Sequence, residues 1–117
     1  MTASVIVEQK FFGLVELGAN GMVLYSRIES DDDARHFPVP GITGCNFYSE
    51  VLPFSNVKEF QNCLDGFIRG PQQAISFLFT CLYEDGPMQV KVLLSRMRER
   101  YEQDVTKSIL VHIRRAQ

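Results

Sequence analysis

The sequence predicts an α+β fold in which a five-stranded antiparallel sheet has its helices inserted between the second and third strands. Three observations predict it. Two apolar runs flank an Asn-Gly step near the start of the chain. One capped, amphipathic helical segment occupies the middle, and three β-rich segments separated by polar turns close the chain.

The first element is Phe11-Phe-Gly-Leu-Val-Glu-Leu17, followed by Gly18-Ala-Asn-Gly21 and then Met22-Val-Leu-Tyr25. Apolar runs on either side of Asn-Gly read as a β-hairpin. Residues 29–44 change character. Asp31, Asp32 and Asp33 can open a short helix, but Pro38, Pro40, Gly41 and Gly44 forbid a long one. Phe47, Tyr48, Val51 and Leu52 supply apolar anchors for another short helical turn.

The clearest helix follows. Ser55 or Asn56 is placed to cap it, and Glu59 puts a carboxylate in its first turn, where the helix end is positive. Val57, Phe60, Leu64, Phe67 and Ile68 fall on one face, which reads as core, and Gly70-Pro71 ends the helix. Residues 75–83 are rich in β-formers, Glu84-Asp-Gly-Pro87 is a turn, and residues 88–97 form the next strand. A polar stretch over 99–104 turns the chain again. In the last strand Ile109, Val111 and Ile113 point one way while Ser108, Leu110, His112 and Arg114 point the other.

At 117 residues the chain is expected to be a single domain over 11–117 with an N-terminal extension over 1–10, large enough for a core without metal or disulfides. A net charge of −2 opposes a dedicated nucleic-acid binder. The charge is unevenly spread: Lys91, Arg96, Arg98, Arg100, Lys107, Arg114 and Arg115 outnumber Glu99, Glu102 and Asp104 in the last part of the chain. No apolar run is long enough to span a membrane, and the start lacks a secretory pattern, so a cytoplasmic location is expected. Cys45, Cys63 and Cys81 have no C-x-x-C spacing and read as buried free thiols.

The run Ile42-Thr-Gly-Cys-Asn-Phe-Tyr-Ser-Glu-Val-Leu-Pro-Phe-Ser-Asn-Val-Lys-Glu-Phe60 resembles the photoactive yellow protein branch of the PAS superfamily, whose pattern is G-x-N-F-[FY]-x-x-V-x-P-C followed by E-F in the long helix. Phe12-Gly-Leu-Val-Glu-Leu17, Gln89-Val-Lys-Val92 and Val111-His-Ile-Arg-Arg115 resemble strands of the same family, so the likeness covers about residues 11–115. It implies a PAS fold. In that family the cysteine of V-x-P-C carries a p-coumaroyl thioester whose phenolate is held by a Tyr-x-x-x-Glu pair. Here the cysteine slot holds Phe54, which has no thiol, and Tyr25-Ser-Arg-Ile-Glu29 stands near the pair's place after a one-residue deletion and before two extra residues.

Two readings of these residues stand side by side. Tyr25, Glu29 and Phe54 either line a pocket open to an uncoupled phenolic or apolar ligand, or Phe54 fills the cavity while Tyr25 and Glu29 are surface residues. His36 is the candidate haem ligand in the helical segment, although a lone loop histidine is ordinarily a surface residue. The leading expectation is a non-catalytic, cofactor-free PAS module acting by protein–protein contact, as a homodimer or with a signalling partner. The alternative is a sensor binding haem or a small aromatic ligand. The expected contact surface is the outer sheet face, with apolar Leu93, Met97 and Leu110 among Arg96, Arg98, His112 and Arg114. A triad, a phosphate-binding loop and a zinc motif are all missing, which speaks against an enzyme.

Overall fold

The first hairpin turns where Asn20 and Gly21 both take positive φ, 67° and 78°. Gly21 is required there for a second reason. A Cβ on it would lie 2.7 Å from the Tyr48 ring, so a side chain would displace the segment packed against the turn. The hairpin joins β1, Gly13–Leu17, to β2, Val23–Ile28. The computed structural model describes residues 10–29, 41–99 and 102–116, with side chains omitted over 98–99 and 102–106.

A short π-helical turn, Phe47–Val51, precedes α1, Val57–Arg69. Three strands follow: β3, Ala74–Tyr83; β4, Gly86–Glu99; and β5, Glu102–Arg115. They form one five-stranded sheet in the order β2-β1-β5-β4-β3, and every pair is antiparallel. The last strand therefore lies in the centre beside the first, leaving β2 and β3 as the edges. Among the described residues the expected element order holds, with strand ends shifted by up to six residues; the short helix expected to open at Asp31, Asp32 and Asp33 lies outside the described residues.

Alternation divides the sheet into two faces. Val15, Leu17, Val23, Val90, Val92, Leu94, Ile109, Val111 and Ile113 point inward and are almost fully buried. Phe60, Leu64 and Phe67 of α1 close this core from the other side, together with Phe47, Leu52 and Phe54. Ile68, expected on the buried face of α1, is instead 40% exposed. Four of the five expected apolar positions suffice to seat one helix on a twisted sheet.

Asn46 starts the π-helical turn. Its Oδ1 accepts from the Tyr48 and Ser49 amides at 3.0 Å, and its Nδ2 donates to Asn20 O at 2.9 Å. Glu50 returns the favour by accepting from the Asn46 amide at 2.6 Å. One side chain thus caps the turn and ties it to the β1–β2 hairpin.

Asn56 does something other than the expected capping. It sits at the N-terminal boundary of α1, but its side chain makes no cap hydrogen bond to the helix. Its Oδ1 accepts from Leu82 N at 3.0 Å and its Nδ2 donates to Thr80 O at 2.8 Å. Ser55 N adds a bond to Leu82 O at 2.9 Å. The edge of β3 offers amide groups with no other partner among the described residues, and Asn56 satisfies them as a strand would.

Candidate functional site

Pro53 delivers Phe54 into the interior, where it is buried. Its ring centroid lies 5.7 Å from Phe60, 5.7 Å from Tyr83 and 6.0 Å from Phe79. Phe60 and Phe79 pack edge-on at 5.1 Å, and Phe11 meets Phe47 at 5.6 Å, so the interior beneath the helix is an aromatic stack. Tyr83 turns its one polar atom to use, accepting from the buried Phe11 amide at 3.0 Å. Beside the stack an open hollow of about 390 Å³ is lined by Leu52, Pro53, Phe54, Ser55, Leu82, Tyr83 and Glu84.

Tyr25 and Glu29 are far from that interior. Both belong to the opposite face of the sheet, because Tyr25 pairs with outward-facing Glu16 and is 50% exposed. Glu29 Oε2 lies 3.6 Å from His112 Nε2, an ion pair only when the imidazole is protonated. His112 Nε2 is itself buried and has no hydrogen-bond partner among the described residues. The pocket formed jointly by Tyr25, Glu29 and Phe54 is therefore corrected. Strand alternation sends the first two outward, and the Pro53 turn sends the third inward. His36 lies outside the described residues.

The outer face resolves into cross-strand rows. Leu78, Lys91 and Arg114 form one; Ser76, Leu93, His112, Leu14 and Arg27 form the next; Ala74, Ser95, Leu110, Glu16 and Tyr25 form a third. Leu93 and Met97 are each 37% exposed and Leu78 is 58% exposed. Arg114 is exposed, while Leu110 and His112 are half-buried. Leu78 and Lys91 were not anticipated as face residues. The signal that finds them is the β3–β4 register, which the two-residue turn over 84–85 sets by pairing Tyr83 with Gly86.

Arg96 is corrected from the outer face to the interior, where it is only 5% exposed. It shares the inward parity of Val90, Val92 and Leu94, not that of Leu93 and Met97. Its guanidinium lies 4.7 Å from the Phe67 ring centroid. Nη2 donates to Phe67 O at 2.6 Å and to Gly70 O at 2.8 Å; Nη1 donates to Ile68 O at 3.0 Å, and Nε to Gln72 O at 3.1 Å. Gly70 adopts φ −88°, so α1 does not end in a left-handed glycine cap. Carbonyls at the helix end converge on Arg96, among them Phe67 O, which also accepts from Gly70 N at 3.1 Å, and a cation there complements the negative end of the helix.

Burial governs the thiols and the phenol. It pushes Cys81 up to about 12 and raises Tyr48 as well, the latter aided by the negative charge of Asp65. Cys63, expected to be buried, is exposed; its thiol is raised by partial desolvation and by Glu59. Asp85 is lowered by its 2.6 Å hydrogen bond from Lys10 Nζ. Among the described residues no group of three or more His, Cys, Asp and Glu side chains is placed to hold a metal ion. Nor is any described helix long and apolar enough to cross a membrane.

No family model matches the chain, and no curated protein matches it. A solved structure does. The wild-type PAS-B domain of Drosophila melanogaster Cycle, with bound ethylene glycol, aligns over 89% of this chain and 99% of its own length, with a TM-score of 0.56 and 12% identity. At that identity the likeness establishes the fold, and the fold is PAS.

Proposed function

We propose that this chain is a non-catalytic PAS module that acts by protein–protein contact through the outer face of its sheet, without covalent p-coumaroyl photochemistry. The observation that carries this reading is the composition of that face. Leu78 and Leu93 are both exposed and lie beside the laterally paired cations Lys91 and Arg114. Apolar anchors next to a basic rim suit a partner with an apolar contact and an acidic border. Phe54 supports the loss of the attachment chemistry, since the residue at the attachment slot of the resembled family is here packed against Phe60, Phe79 and Tyr83. The same packing speaks against the rival reading, a sensor that takes haem or a phenolic ligand into the interior.

The test uses immobilised wild-type protein and a Leu93→Glu variant of equal circular dichroism to capture partners. Proteins retained by the wild type and lost with Leu93→Glu, with lost capture also for Lys91→Glu/Arg114→Glu, are expected. Identical captured sets, or none at all, overturn the assignment of the face. A spectral change on adding haemin or p-coumaric acid to the purified protein supports the rival reading instead.

A further inference from the structure

The edge of β3 is only half closed. In a strand, the N–H and C=O of one residue point to the same side, and successive residues alternate. Two independent contacts fix the parity here. Gln73 O accepts from Arg96 N at 2.9 Å, so odd-numbered residues address β4. Thr80 O and Leu82 N and O address Ser55 and Asn56, so even-numbered residues address the edge. The main-chain groups of Ala74, Ser76 and Leu78 therefore also point to the edge, and no described residue bonds to them from that side.

We infer that this open stretch pairs with the same stretch of a second copy, joining two sheets across a two-fold axis at Ser76. The register follows from Asn56. It blocks the edge from Thr80 onward, leaving only Ala74, Ser76 and Leu78. An antiparallel copy centred on Ser76 sets Ser76 against Ser76 and Ala74 against Leu78, so each free N–H and C=O finds a partner. Charge selects the occupant. From Ala74 to Tyr83 the strand holds no charged residue and no proline, so a second β3 meets no like-charge repulsion along the paired stretch. Half-buried Ile75 of one copy then lies opposite half-buried Phe77 of the other, and both lose more of their water contact. This interface uses the edge and not the outer face, so it stands or falls independently of the partner surface proposed above.

Sedimentation equilibrium with amide hydrogen exchange tests it. The wild type is expected to dimerise, with the Ser76 and Leu78 amides exchanging about tenfold slower, or more, as the dimer forms. Ser76→Pro removes an edge-facing donor without touching the β3–β4 ladder and is expected to give a folded monomer. Leu93→Glu, on the face, is expected to leave the dimer intact. If Ser76→Pro fails to fold, the exchange of the wild-type amides alone decides. A wild type still monomeric at about 1 mM, a dimer in which Ser76 and Leu78 exchange as fast as in the monomer, or one dissociated by Leu93→Glu but not by Ser76→Pro overturns the inference.

Discussion

Arg96 Nη2 on β4 lies 2.6 Å from the carbonyl oxygen of Phe67 at the end of α1. That contact joins the C-terminal end of the central helix to the sheet, at a carbonyl that also accepts from Gly70 N at 3.1 Å. The rest of the guanidinium continues the job at Ile68, Gly70 and Gln72. Arg96→Met is expected to destabilise the domain by about 1.5–3 kcal/mol, the range for hydrogen bonds made by a charged group. Arg96→Lys is expected to recover only part of this, because an ammonium cannot reproduce the planar fork. The check is the urea midpoint at constant m-value; an Arg96→Met change within about 0.5 kcal/mol would contradict the capping role.

Phe54→Ala removes a ring from the centre of the aromatic stack. A loss of about 3–5 kcal/mol is expected from the lost burial and the cavity left behind. Phe54→Cys puts a thiol where the resembled family carries its attachment cysteine but is expected to stay colourless in visible light after treatment with an activated p-coumaroyl ester. Tyr25 and Glu29 are on the far face and cannot hold a phenolate there. A yellow, folded Phe54→Cys product would show that the interior still accepts the chromophore.

Asn56→Ala leaves Thr80 O and Leu82 N without their protein partner. Both are near solvent, so the expected cost is modest, about 1–2 kcal/mol. The distinctive result is local: the Leu82 amide should exchange faster while Val90 and Val92 remain protected. Uniform loss of protection across β3 and β4 would instead mean that Asn56 supports the whole fold.

Cys81 gives a pH dependence whose sign can be worked out. Its folded thiol is held up near 12 against an ordinary value of 9.0 by desolvation. Between those values the unfolded chain has lost the proton and the folded chain keeps it, so stability falls as pH rises from about 9 toward 12 and is unaffected by this group below about 9. Tyr48, raised by burial and Asp65, adds a decline of the same sign at higher pH. Cys81→Ala is expected to flatten the lower part of the alkaline decline in chemical denaturation; an unchanged pH profile would remove Cys81 from the explanation.

Thiol labelling provides a separate check on burial. Exposed Cys63 is expected to react with a maleimide well before buried Cys81, although both thiols are raised. Peptide mapping by mass spectrometry reads the order, and equal rates would be incompatible with Cys81 being buried on the inner face of β3.

Much of the architecture was legible because it rests on local signals. Asn20-Gly21 marks the first turn, Gly70-Pro71 stops α1 after Arg69, and the alternation from Ser108 to Arg114 assigns the two faces of β5 correctly. Asn56 departs from the local rule that Asn before a helix is usually a cap. Its use on β3 depends on Thr80 and Leu82 arriving beside it, 24 and 26 residues on. Tyr25 and Glu29 were legible as a pattern but not as a place, since a four-residue spacing says nothing about which sheet face faces the helix.

By itself, then, the sequence determined the order and type of the described elements and the presence at position 54 of a phenylalanine, which has no thiol, because periodicity, turn chemistry and residue identity are local properties. Only the tertiary structure decided that Phe54 completes an aromatic stack, that Tyr25 and Glu29 turn away from it, and that Arg96 points inward. A charged side chain is expected in water unless something buried can accept its hydrogen bonds. For Arg96 those acceptors are carbonyls at Phe67, Ile68, Gly70 and Gln72, groups that come within its reach only when α1 docks on the sheet.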